Sequence, residues 1–230
     1  MKRFYLLAVM LLVFACAARA DTILWYNGDF DGRNGLANEI NTLVPDSRVY
    51  DDFIVPSGGW TIGTVWSNDL SSIRASSAYW EIRSGVSAGN GGTLVASGTS
   101  SATQTLTGRS AFGFSEYTIE VSGLNIPLAT GTYWLTVAPI DSGLGRSFVS
   151  TTSGLNAVGN PPGNDGLSFF DSTFFGTNFE LASDEPGQPN PADYSMGVGT
   201  SGAPAVPEPC TLALFGLGAF GLLRRRSRKN

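Results

Sequence analysis

Glu116-Tyr117-Thr118-Ile119-Glu120-Val121-Ser122 is the stretch that decides the fold. Tyr117, Ile119 and Val121 alternate with Glu116, Thr118, Glu120 and Ser122, so an extended chain puts the apolar set on one face and the polar set on the other. A helix would scatter both sets around its axis. Working outward, residues 131–137 repeat the strand signal, and Pro139 is expected to end it. Residues 48–55 and 60–66 flank the turn formers Pro56-Ser57-Gly58-Gly59. In residues 78–83, Ala78, Trp80 and Ile82 share one face and Tyr79, Glu81 and Arg83 the other. Residues 93–98 and 103–107 read as a pair of short strands, and residues 167–170, 178–182 and 194–198 as later ones. Only residues 36–43 suggest a short helix. The expected fold class is therefore all-β, a single two-sheet β-sandwich of jelly-roll type over residues 21–198, with a Gly/Ala/Pro linker at 199–206.

Composition narrows the chemistry. Residues 21–206 hold six arginines and no lysine against eighteen carboxylates, a formal charge of −12. Such a body repels phosphate backbones and anionic membranes, so nucleic acid and anionic membranes are both excluded as its partners, while cations and neutral sugars stay open. The chain has no histidine, which removes Ser-His-Asp and Cys-His catalysis and the commonest zinc ligand. Its two cysteines, Cys16 and Cys210, fall in the terminal segments, so the body has neither a thiol nucleophile nor an internal disulfide.

The two ends, by contrast, are net basic. Lys2-Arg3, an apolar run over residues 4–15 and Ala18-Arg19-Ala20 form a secretory signal peptide, residues 1–20, with cleavage expected after Ala20. At the other end, Pro207-Glu208-Pro209 precedes an apolar run over 210–223 and a basic cluster over 224–229. At about 1.5 Å per residue that run makes a helix of roughly 21 Å, short of the ~30 Å hydrocarbon core. It suits a transient stop in the inner membrane, with the basic cluster on the cytoplasmic side.

That three-part order, with Pro207, Glu208 and Pro209 as its motif, resembles the PEP-CTERM sorting tail of exported bacterial proteins. The resemblance implies processing near the motif by an exosortase, a precursor in the inner membrane, and a mature form at the cell surface or outside the cell. Carriers of such tails are typically made by bacteria that also make exopolysaccharide, which implies a matrix or biofilm role. The body is similar to β-domains that precede such tails, on Tyr50-Asp51-Asp52-Phe53, Trp80-Glu81-Ile82-Arg83-Ser84-Gly85 and Gly131-Thr132-Tyr133-Trp134-Leu135.

Three constellations are candidates for function. Asn27-Gly28-Asp29-Phe30-Asp31-Gly32 matches the front of a calcium loop, with oxygen ligands at alternate positions, but the twelfth position is Asn38 and Glu39 comes one residue late. Calcium at Asn27, Asp29 and Asp31 and a plain Asx-rich turn are the two readings. Asp51-Asp52 is a second acidic pair, expected to send one side chain to solvent while the other caps a loop or binds an ion. Among the five tryptophans, Trp66 and Trp134 are the candidates for a flat sugar-stacking surface: Trp66 precedes Ser67-Asn68-Asp69, and Trp134 lies on the threonine-bearing face of its strand. Glu81, Glu116 and Glu120 are the carboxylates that a glycosidase would need, although no spacing makes two of them converge and solvated strand glutamates are the competing reading. The expectation is a non-catalytic protein that makes glycan or protein contacts in an exopolysaccharide matrix. The alternatives are a carboxylate-based polysaccharide hydrolase and a purely structural matrix protein.

Overall fold

A computed structural model describes residues 22–201, apart from 164. Two large antiparallel sheets pack face to face. In the first, β6 (Thr64–Ser71) is the central strand. One of its edges pairs along its length with β10 (Phe114–Val121), which in turn pairs with β9 (Thr103–Ala111). The other edge is shared: β16 (Met196–Gly199) takes residues 64–67, and β13 (Ser147–Thr152) takes residues 69–71. Beyond these lie β1 (Ile23–Tyr26) on β16 and β2 (Phe30–Ala37) on β13.

The second sheet runs β15 (Thr177–Leu181), β14 (Phe169–Ser172), β4 (Ser47–Val55), β12 (Gly131–Asp141), β7 (Ser77–Ser84), β8 (Thr93–Ser101), with β3 (Ile40–Asn41) parallel to the end of β12. A small ribbon, β5 (Trp60–Ile62) with β11 (Ile126–Leu128), stands apart from both sheets. The expected two-sheet sandwich is the observed one. The alternation read in residues 116–122 places Ile119 and Val121 in the core at 0 % exposure. They join Trp25, Phe53, Val65, Ile82, Leu135, Val137 and Met196 between the sheets. Burying each such side chain contributes about 2 kcal/mol, which a domain with no internal disulfide needs.

Several local expectations fail, each for a long-range reason. Residues 36–43 form no helix: Leu36 and Ala37 pair with Val149 and Phe148 of β13. Asn38 and Glu39 are then pinned by backbone bonds to Ser147 and Ser47. Pro139 does not end its strand, since β12 continues to Asp141 and Pro139 itself opposes Ala78. At that point β4 has already ended its pairing at Leu135 and β3 has not begun, so the missing N–H faces an open edge.

Residues 60–66 are two strands. Gly63 separates them, with its N–H on Gly199 and its carbonyl taken by Leu124, in a space where an added Cβ would lie 1.9 Å from the Ser201 nitrogen. Strands β8 and β9 do not pair with each other. The chain turns a corner at Ala102, whose N–H bonds to Ser76, and puts the two strands on different sheets. The only helix among the described residues is a 3-10 turn at Ala182–Asp184. Among the same residues no helix is long and apolar enough to cross a membrane. Ala18, Ala20, Pro207, Glu208, Pro209 and the apolar run over 210–223 lie outside the described residues.

Candidate binding groove

Side chains at alternate positions of β6 leave the core and line an open groove of about 420 Å³ on the outer face of the first sheet. Thr64, Trp66 and Asn68 come from β6, Thr118 and Glu120 from β10, Thr107 and Arg109 from β9, and Ile23 and Tyr26 from β1. Register explains the grouping, because Glu120 opposes Trp66 and Thr118 opposes Asn68 across the β6–β10 ladder.

The half-buried Trp66 indole crosses β16 at Gly197 and Gly199. A Cβ on Gly197 would stand 2.1 Å from the indole ring, so a residue without a side chain is required there. The Tyr26 ring sits 6.1 Å away, tilted by 37°.

A chain of hydrogen bonds forms the polar wall. Thr118 Oγ1 donates to Asn68 Oδ1 at 2.7 Å, and Asn68 Nδ2 donates to the Tyr26 hydroxyl at 3.0 Å. Tyr26 donates to Asp29 Oδ1 at 2.7 Å, and Arg109 Nη1 approaches the same oxygen at 3.0 Å. Arg109 Nε then reaches Glu116 Oε2 at 2.5 Å, where Thr107 Oγ1 also donates at 2.7 Å.

A bulge in β9 makes this last step possible. Leu106 opposes Tyr117 and Ser110 opposes Ser115, so residues 107–109 crowd against Glu116 alone. The extra residues turn Thr107 and Arg109 inward, as β-bulges do. Burial pushes the Tyr26 hydroxyl far above its usual range, with the neighbouring Asp29 charge adding to the effect. Partial burial also works against ionised Asp29, but hydrogen bonds from Tyr26, Asn156 and Arg109 prevail and hold it below the usual carboxylate range.

The other candidates are distributed elsewhere. Trp134 is 8 % exposed, packs on Phe169 and gives its indole N–H to the Leu167 carbonyl at 2.9 Å. It belongs to a small second core with Tyr50 and Phe179 and offers no flat surface, a correction to the sequence expectation. Burial of this aromatic needs β14 and the segment before it, more than thirty residues later in the chain.

Asn27, Asp29 and Asp31 point to separate partners. Asn27 Nδ2 donates to Asp51 and to the Tyr194 carbonyl, Asp29 faces the groove, and Asp31 accepts from Arg33 N–H and Thr151 Oγ1. Gly28, at φ +123°, serves close packing: a Cβ there would meet Thr152 and Gly154 at 2.7–2.8 Å. Among the described residues no three His, Cys, Asp or Glu side chains form a metal-holding group.

Neither Asp51 nor Asp52 reaches solvent, since both are 1 % exposed. Asp51 accepts N–H groups from Asn27, Asp52 and Tyr194. Asp52 Oδ1 is buried without a hydrogen-bond partner.

Two of the three candidate glutamates are buried, while Glu120 is half-buried at the groove. Glu116 is 0 % exposed and bound as above, and Glu81 is 4 % exposed on the second sheet, held by Tyr50, Tyr79 and Arg83. Burial opposes ionisation of Glu81, but those three hydrogen bonds outweigh it and keep its carboxyl below the usual range. Glu81 and the pair Glu116 and Glu120 thus stand on different sheets.

Sequence reasoning singled out Trp66 but missed Tyr26, Asn68, Thr107 and Arg109 as its neighbours. The one available signal was Gly108, directly after the strand read at residues 103–107, which could equally mark a turn or a bulge.

Comparison with curated proteins finds no match to the chain. Residues 205–229, however, match the family described as the PEP-CTERM protein-sorting motif. The chain therefore carries a PEP-CTERM sorting tail behind a β-sandwich body, which implies an exported protein whose membrane-held precursor is processed by an exosortase for surface display.

Proposed function

We propose that the body is a non-catalytic glycan-binding module of an exported surface or matrix protein, and that the groove at Trp66 is its binding site. The observation that carries this reading is the indole laid across Gly197 and Gly199 beside a wall of fixed hydrogen-bonding groups. A flat aromatic face takes the apolar face of a sugar ring, and the polar wall takes its hydroxyls. Because each wall residue is already tied to the next, little side-chain freedom is lost on binding.

The charge of the groove favours neutral sugars. Its one arginine among the described residues, Arg109, is neutralised twice over, by Asp29 and by Glu116. Uronic-acid polymers would meet that arrangement and a body of formal charge −12.

The test is binding of purified residues 21–206, which contain the whole sandwich, to the producing organism's exopolysaccharide, to neutral soluble glucans and galactans, and to polyuronates. Binding to a neutral polymer is expected, with a loss of at least about tenfold in Trp66→Ala under conditions where the variant remains folded by circular dichroism. Binding confined to polyuronates, or untouched by Trp66→Ala, sinks the proposal. Equal affinity in calcium and in chelator is expected, since Asp29, the member of that loop that faces the groove, is already held by Tyr26, Asn156 and Arg109.

A further inference from the structure

The two outermost strands on one side of the sandwich, β8 and β9, are consecutive in the chain and joined through Ala102 alone. One edge of each sheet therefore opens on the same side, along a ribbon from Thr93 to Ala111. Among the described residues β8 pairs only with β7, and nothing meets the outward backbone groups of residues 96–101. Such an edge is a template for another strand. Proteins that must stay apart blunt their edges with lysine, proline, inward charges or bulges.

This ribbon uses few of those devices. It contains no proline, no lysine and no acid. Its one charge, Arg109, is committed to Asp29 and Glu116. Its bulges, near Val95 and at residues 107–109, leave residues 96–101 and 103–106 in regular register.

The remaining edges are guarded. Strand β1 is four residues long and is bridged at Tyr26 to Val158. Strand β15 is five residues long, and Gly89 bonds to its Phe179 carbonyl. Strand β2 carries Asp31 and Arg33 and is crossed by bonds from Asn34 to Gly187 and from Gln188 to Gly35.

We propose that residues 96–101 form a self-association edge, on which β8 of a second copy of this chain pairs antiparallel around a two-fold axis. The occupant follows from charge. Copies carrying −12 each repel over most of their surface, and this uncharged run of Ala96, Ser97, Gly98, Thr99, Ser100 and Ser101 is where they approach at least cost. Self-pairing of one strand about a two-fold is closed, so it yields a dimer. Exposed Leu94 and Val95 flank the seam and supply apolar area to it. The inference uses residues distinct from the Trp66 surface and does not depend on glycan binding.

The experiment is sedimentation equilibrium of purified residues 21–206 from about 1 μM to about 1 mM. A concentration-dependent dimer is expected. Ser97→Lys with Thr99→Lys should weaken it by at least about tenfold at unchanged Tm, because like charges then face each other across the seam. The same two charges placed at exposed Thr61 and Thr132 should leave it intact. Residues 21–206 contain no cysteine, so single cysteines at Ser97 or Thr99 report contact directly as disulfide-linked dimers. A monomer throughout the range, or a lysine variant that associates like the parent, overturns the proposal.

Discussion

Trp66 and Gly197 face each other across the β6–β16 ladder, and the indole occupies the volume that any side chain on Gly197 would need. The glycine is thus a shape element of the groove, set by its neighbour; its own φ is not in the left-handed region. Gly197→Ala is expected to tilt the indole off the sheet and lower glycan affinity about tenfold or more, with a stability loss of about 1–3 kcal/mol from overpacking. Tryptophan fluorescence together with a glycan titration checks both parts.

Arg109 and Glu116 form the second dependency. Glu116 is fully buried, and its charge is met by Arg109 and the Thr107 hydroxyl. Arg109→Gln should destabilise the body by about 2 kcal/mol, because a carboxylate is left in the interior with one donor gone. Adding Glu116→Gln should recover part of that loss. A double-mutant cycle by denaturant unfolding measures the coupling, and additive effects would show that the pair is not the cause.

Two buried carboxyls make stability depend on pH. Burial, reinforced by the charges of Asp165 and Asp193, pushes Asp52 up to about 7. Burial also pushes Asp69 up to about 7, against hydrogen bonds from Ser67, Asn38 and Ser147. Both groups ionise near 3.8 when unfolded. Between these values the folded state holds protons that the unfolded state has released, so their contribution falls as pH rises from about 4 to about 7 and then levels off. Asp52→Asn should raise Tm at pH 8, leave it nearly unchanged at pH 4, and flatten the slope between. A Tm that climbs from pH 5 to pH 8 in the parent chain contradicts this.

The sorting tail has its own test. Replacing Pro207, Glu208 and Pro209 with alanine in the producing organism should leave the body exported but uncut, so that a larger species stays with the membrane fraction. Immunoblots of membrane and medium distinguish this from normal processing.

What could be read from residue order was whatever depends on near neighbours. Period two in residues 116–122 fixed which side of β10 is core, and the tail announced itself through three adjacent elements of composition. Trp66 is half-buried at the groove, but the polar run after it is itself buried and alternates between the two faces of β6, so it marks neither. Trp134 was not legible, because its cover comes from β14 and Leu167, and no local signal reports a partner that distant. The segment at residues 36–43 went the same way: pairing with β13 outweighs weak local helix preference. Arg109 gave no signal of its own, because it is the bulge in β9 that brings it to Glu116.

Strand β16 is bonded on both sides, to β1 and to β6, and ends two residues before the last described position, Ser201. That gives the domain a mechanical grain. A pull on the C-terminal side enters β16 lengthwise and loads its ladder rungs in shear, all together, where a hairpin edge would unzip one rung at a time. A polymer gripped at Trp66 would resist from the adjacent strand, about 4.8 Å away. The load path between Trp66 and the C-terminal end of β16 would then be one strand wide.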